Sequence, residues 1–136
     1  MIRLNTMQQQ RVVSHWKQQS KRKTPNQILA DLVSSKTITQ DQARELMNRQ
    51  RKNLVEMMCF SEEAGQHKEE AMRTRDTSFY GHAGNKFALA ADHAMKAGFN
   101  SYAAIFLQEA INAKKLFRAP ANEILALQKT LEGLKQ

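Results

Sequence analysis

The sequence predicts an all-α protein of 136 residues, a five- or six-helix bundle ending in an antiparallel alanine-rich hairpin. Three observations carry that expectation. Apolar residues recur at three- and four-residue spacing along most of the chain, and no useful stretch alternates apolar and polar as a half-buried strand does. Capping residues stand just ahead of those periodic stretches. Two alanine-rich segments flank one Ala97-Gly98-Phe99-Asn100.

The first helix is expected over about 4–20, where Leu4, Met7, Val12, His15, Trp16 and Gln19 fall at helical intervals. Thr24, Pro25 and Gln27 then make a start signal. Threonine caps, proline suits a first turn that needs no N–H from it, and Gln27 stands where a capping box places Glu or Gln. The short helix that follows should bury Ile28, Leu29, Leu32 and Val33, and Ser34-Ser35-Lys36-Thr37 breaks it.

Thr39 and Gln42 repeat the capping box, Asp41 sits at the positive end of the helix dipole, and Ile38 can staple back onto the first turn. From there Ala43, Leu46, Met47, Gln50, Leu54, Met57, Met58 and Ala64 trace one stripe that continues through Ala71 and Met72. One helix over about 40–75 is expected, with Gly65 either interrupting it or weakening it by roughly 1 kcal/mol relative to alanine. Unbroken, ~35 residues span roughly 50 Å, longer than a compact domain of this size covers alone, which points to contact with another chain.

Arg75 to Asn85, RDTSFYGHAGN, reads as a loop or hinge centred near 76–84. The next helix is expected over about 82–97, closed by Gly98 in a left-handed conformation with Phe99 packing back on the last turn. Asn100 or Ser101 should cap a helix over about 101–117. Pro120 should start a last one over 121–134, with Ile124, Leu125, Leu127, Leu131 and Leu134 inward.

Small residues explain the hairpin. Ala90, Ala91, Ala94 and Ala97 on one helix can meet Ala103, Ala104, Ala110 and Ala113 on the other, bringing the backbones toward the short end of the usual ~8–10 Å separation. Phe87, Met95, Ile105, Phe106 and Ile111 then fill the outer layers. The short connection makes the two helices antiparallel neighbours. In Phe87, Ala91, Ala94, Gly98, Ala103, Leu107 and Ala110 the spacing resembles a single tetratricopeptide repeat over residues 87–110. It is one copy, with its proline displaced to Pro120. The resemblance implies a peptide- or protein-binding role without catalysis.

Composition sets the outer bounds. With 41% hydrophobic and 25% charged residues, the chain is an ordinary globular one, neither disordered nor collagen-like. One domain over 1–136 is expected, with the basic segment 1–23 packed loosely. The net charge of +8 is uneven: residues 1–60 hold 11 Lys/Arg against 4 Asp/Glu, residues 61–136 hold 10 against 9. That asymmetry favours an anionic partner. The single Cys59 allows no intrachain disulfide. No apolar run is long enough for a membrane span or a secretory signal core, so a cytoplasmic location is expected, with export routes that need no cleaved signal left open.

Signals for chemistry are weak. Cys59 has apolar and acidic neighbours, which oppose a reactive thiolate, and reads as a small core hydrophobe. Glu63, His67 and Glu70 share a helix face, but a di-iron bundle needs a second such set, so they read as a solvated acidic patch. Asp92 and His93 point to different sides of a helix, and His82 lies three turns before His93. No phosphate loop, Cys-x-x-Cys or nucleophile elbow occurs. No enzyme activity, metal or cofactor is expected; a catalytic site through Cys59 or His93 ranks third among the readings.

Binding ranks first. The expected function is that of a small helical adaptor or regulator (an inhibitor, chaperone or bridging factor) that docks on a partner protein with an acidic surface. Trp16, Met47, Leu54 and Met58 would anchor it, with Arg44, Arg49, Arg51 and Lys52 at the rim. Seven methionines suit either core filling or an adaptable interface, including a homodimer seam. The alternative is nucleic-acid binding through Lys17, Lys21, Arg22 and Lys23 together with Arg49, Arg51 and Lys52. Against it, Thr37–Met47 lacks a helix-turn-helix turn glycine, and no aromatics interleave the basic residues. Gln8, Gln9 and Gln10 make residues 2–22 too polar to insert strongly at a membrane surface.

Overall fold

The computed structural model describes residues 3–135, which are helical with no strand among them. Seven helices follow one another: α1 (Thr6–Gln19), α2 (Pro25–Ser34), α3 (Gln40–Asn48), α4 (Arg51–Thr74), α5 (Ser78–Lys96), α6 (Asn100–Phe117) and α7 (Ala121–Lys135). One hydrophobic core runs from Leu4 to Leu131 and takes in side chains of every helix. Val12, Val13 and Trp16 join α1 to it, while Lys17, Lys21, Arg22 and Lys23 stay exposed.

The capping boxes at Thr24/Gln27 and Thr39/Gln42 are formed. At the second, the Thr39 hydroxyl accepts from the Gln42 N–H at 3.1 Å and the Gln42 carbonyl accepts from the Thr39 N–H at 2.8 Å. A third box opens α1, where Asn5 and Gln8 exchange the same two bonds at 2.8 and 2.9 Å. Each box satisfies two N–H groups that a first turn leaves without carbonyl partners.

The stripe expected as one helix over 40–75 is two helices. The chain breaks at Arg49 and Gln50, whose φ values are −113° and −114°, and continues helical through Gly65. No glycine or proline marks the break; packing decides it. α3 lies on α2 and buries Leu46, whereas α4 runs mainly along α5. α4 is 24 residues long, about 36 Å, so helix length gives no reason to invoke another chain.

The expected loop at 75–85 shrinks to Arg75–Thr77. Arg75 closes α4 at φ 61°, and the Asp76 carboxylate accepts from the Ser78 N–H at 3.0 Å and from its hydroxyl at 2.7 Å. Those bonds hold the Asp76 carboxyl below its ordinary range. Gly81 and Gly84, which looked like loop residues, are buried inside α5. A β-carbon on Gly84 would stand 2.8 Å from Cγ of Lys114 and 3.4 Å from the Ala110 carbonyl oxygen; one on Gly81 would stand 3.1 Å from the Phe117 ring. These glycines permit close approach to α6.

Between α5 and α6, Gly98 is left-handed at φ 81°. The Phe99 N–H donates to Ala94 O at 2.8 Å and the Gly98 N–H to Met95 O at 3.1 Å, the two bonds of a Schellman turn. Phe99 is buried, and no side chain caps α6, so neither Asn100 nor Ser101 performs that task. Ala90, Ala91, Ala94, Ala103 and Ala110 are fully buried, and the Phe87 and Phe106 rings stack at 6.5 Å. Ile105 is exposed rather than packed in an outer layer. α7 rests on α6 and buries only Leu131; Leu125, expected inward, is half exposed.

Candidate functional site

Burial divides the candidate partner residues into two groups. Trp16, Leu54 and Met58 are 6%, 1% and 6% exposed and belong to the core. In this conformation they hold helices together and expose too little surface to anchor a partner protein. Their helical spacing suits an interior stripe as well as an anchor stripe, and α1 and α5 cover that side of α4.

Arg44, Met47, Arg49, Arg51 and Lys52 remain at the surface, and the break between α3 and α4 gathers them. Two shallow concavities adjoin there and share Met47 and Asn48. One, of about 430 Å³, lies between α2 and α3 over Leu29, Ala30, Val33, Ala43 and Met47, with Arg44 on its edge. The other, of about 620 Å³, is lined by Pro25, Met47, Arg49, Arg51, Lys52, Val55 and Glu56. Together they make an apolar floor with a basic rim.

The rim charge is largely uncompensated. Arg44 and Arg49 have distant helical partners, Asp41 at 3.6 Å and Glu45 at 3.7 Å, which contribute little at exposed positions. Arg51 and Lys52 make no ion pair among the described residues. The one carboxylate on the lining, Glu56, is engaged by His93 at 2.8 Å. Pro25, Ala30, Val33 and Val55 had no role in the sequence reading of this face. Packing of α2 on α3 sets Ala30 and Val33 beside Met47, and the unsignalled break at Arg49 and Gln50 sets Val55 of α4 there.

The other basic cluster splits. Lys23 is bound to Asp31 at 2.7 Å, and His15 reaches the same carboxylate oxygen at 3.2 Å. The Lys23 bond, then the His15 bond, hold the Asp31 carboxyl below its ordinary range. Lys17 and Lys21 instead edge a cleft of about 470 Å³ between the end of α1 and the middle of α4. Residues 2–22, read above for membrane affinity, include Ile2, which lies outside the described residues; no helix among the described residues is long and apolar enough to cross a membrane.

The chemistry-bearing side chains occupy separate places. Cys59 is exposed on that same α1/α4 cleft, not buried as expected. Partial burial of the sulfur, then Glu63, Glu62 and Glu56, push its thiol pKa up, which leaves it a poor nucleophile. His93 faces the α4/α5 seam, where Glu56 and Asn53 meet its two nitrogens at 2.8 and 3.1 Å and Phe60 stacks on its ring at 5.6 Å. The Glu63, His67, Glu70 face disperses: Glu63 pairs with Lys86, Glu70 with Arg73, and His67 packs on Phe79 and His82. No group of three or more metal-ligating side chains gathers among the described residues.

Compared with protein-family models, curated proteins and solved structures, the chain matches none.

Proposed function

We propose that this chain is a small helical adaptor or regulator that binds a partner protein through the face made by α2, α3 and the first turns of α4. The observation that supports it is the meeting of an apolar floor at Met47 and Val55 with Arg51 and Lys52, cations that make no ion pair among the described residues. Apolar contact supplies affinity at the centre of such a face, and the basic rim steers an acidic surface onto it. Met47 replaces Trp16 as the central contact, with Arg44, Arg49, Arg51 and Lys52 around it. The scaffold is an antiparallel alanine hairpin of α5 and α6. It draws support from paired contacts that advance along one helix as they retreat along the other: Gly81 with Phe117, Asn85 with Lys114, Phe87 with Phe106. A tetratricopeptide-like origin of that hairpin and a cytoplasmic place of work belong to the same proposal. The test is capture of a stoichiometric protein from nuclease-treated lysate by the wild type, and its loss when Met47→Asp is combined with Arg51→Glu and Lys52→Glu.

One observation favours nucleic acid as the second reading. Pro25 lines the concavity of Arg49, Arg51 and Lys52, and the exposed Lys21 and Arg22 stand four and three residues before it in the chain. A continuous basic strip would bind phosphates with steep salt dependence. Retention of nucleic acid that survives in the Met47→Asp single variant and falls with charge reversal at Lys21 and Arg22 would support it over the first.

A further inference from the structure

The cleft between α1 and α4 holds a set of features that the partner-binding face does not use. One wall carries Lys17 of α1 and Lys21 of the turn after it, and the α4 wall carries Glu62 and Glu69. Among the described residues none of the four forms an ion pair, so both charge signs stand unpaired on the lining of one cleft. Trp16, buried to 6% exposure, forms part of the floor. Gly65 also lies there, in the middle of a continuous helix, where glycine costs roughly 1 kcal/mol relative to alanine. Packing gives no reason for it: a β-carbon at Gly65 would meet nothing within 4 Å. That contrasts with Gly84, where a β-carbon would clash. Open space therefore lies beside the Gly65 backbone, on the lining of the cleft.

A ligand of single charge would be drawn by one wall and repelled by the other. A dipolar ligand is favoured by both. At about 470 Å³ the cleft falls within the range of small-molecule sites and accommodates a dipeptide. We propose that it binds a small zwitterion of dipeptide size, with the carboxylate held by Lys17 and Lys21, the ammonium group by Glu62 and Glu69, and the apolar body over Trp16 and Gly65.

Trp16 is the only tryptophan in the chain, so binding reports on its fluorescence. The probe is the dipeptide alanyl-leucine, titrated beside its N-acetylated, C-amidated form, which has the same side chains and no terminal charges. The expected result is a saturable change with Kd about 1 mM for the zwitterion and binding at least about tenfold weaker for the blocked form. Saturation should vanish in Lys17→Glu/Lys21→Glu, which makes both walls acidic. It should also vanish in Gly65→Leu, which fills the cleft and leaves the melting temperature equal to or above that of the wild type. If Gly65→Leu melts lower, the lysine variant decides alone. No saturable change, equal binding of the blocked form, or binding that persists in the lysine variant overturns the proposal. Persistence in a stable Gly65→Leu overturns it too.

Discussion

Alanine at each of three helical glycines separates propensity from packing, because the chemical change is the same and the surroundings differ. At Gly65 nothing stands within 4 Å of the new β-carbon, so the whole propensity gain of about 1 kcal/mol should appear, raising the melting temperature by about 3–5 °C. At Gly81 the β-carbon meets the Phe117 ring at 3.1 Å, but that residue is 44% exposed and can swing outward. Its outcome should fall between no change and the Gly65 value. At Gly84 the obstacle is Lys114 Cγ at 2.8 Å, with the Ala110 carbonyl behind it at 3.4 Å. The Lys114 side chain is only 12% exposed, and its ammonium group donates to Asn85 at 2.9 Å and reaches Glu123 at 3.5 Å. Moving it disturbs those bonds. Overpacking of about 1–3 kcal/mol then exceeds the propensity gain, for a net loss of up to about 2 kcal/mol. Thermal and urea unfolding followed by far-ultraviolet circular dichroism measure all three. Gly84→Ala as stabilising as Gly65→Ala would refute the close approach of α5 and α6.

Trp16→Ala should destabilise the fold by about 3–5 kcal/mol in urea unfolding; a loss below about 1 kcal/mol would return Trp16 to the candidate anchors. The Asp31 carboxyl lies below its ordinary value of 3.8 in the folded chain, so its pairing with Lys23 and His15 stabilises the fold above that pH and fades as pH falls through the folded value. The stability difference between wild type and Asp31→Asn should therefore shrink in acid melts below 3.8; because the carboxylate is solvent-exposed, the effect is small, and a difference that grows instead would contradict the pairing. Arg51→Glu with Lys52→Glu should change stability by no more than about 0.5 kcal/mol, since both are exposed and make no ion pair among the described residues; a larger loss in the same melts would show that they hold structure.

Local signals were legible where they act within one turn. Thr24/Gln27 and Thr39/Gln42 cap by bonds that span three residues, and the turn at Gly98 closes α5 by bonds from the Phe99 N–H to Ala94 and from the Gly98 N–H to Met95. The misread segments depend on distant partners. Gly81 and Gly84 resemble loop glycines until α6 is placed against them, although their spacing to Ala88 and Ala91 continues the small-residue stripe. The break at Arg49 and Gln50 has no residue-level mark, because it arises from α3 choosing α2 and α4 choosing α5. That break also decides the candidate site. Arg44, Met47, Arg49, Arg51 and Lys52 were identifiable by type, but their common face was not. Trp16, Leu54 and Met58 show the converse: an apolar residue at helical spacing marks a stripe without saying whether another helix of the same chain covers it.

The partner-binding face is tested most directly by quantitative capture from nuclease-treated native lysate, comparing wild type with Met47→Asp/Arg51→Glu/Lys52→Glu after matching their melting curves. The expected result is a protein retained near one-to-one by the wild type and absent from the variant. Equal retention by a folded variant, or recovery of nucleic acid alone before nuclease treatment, would contradict the assignment of this face to a protein partner.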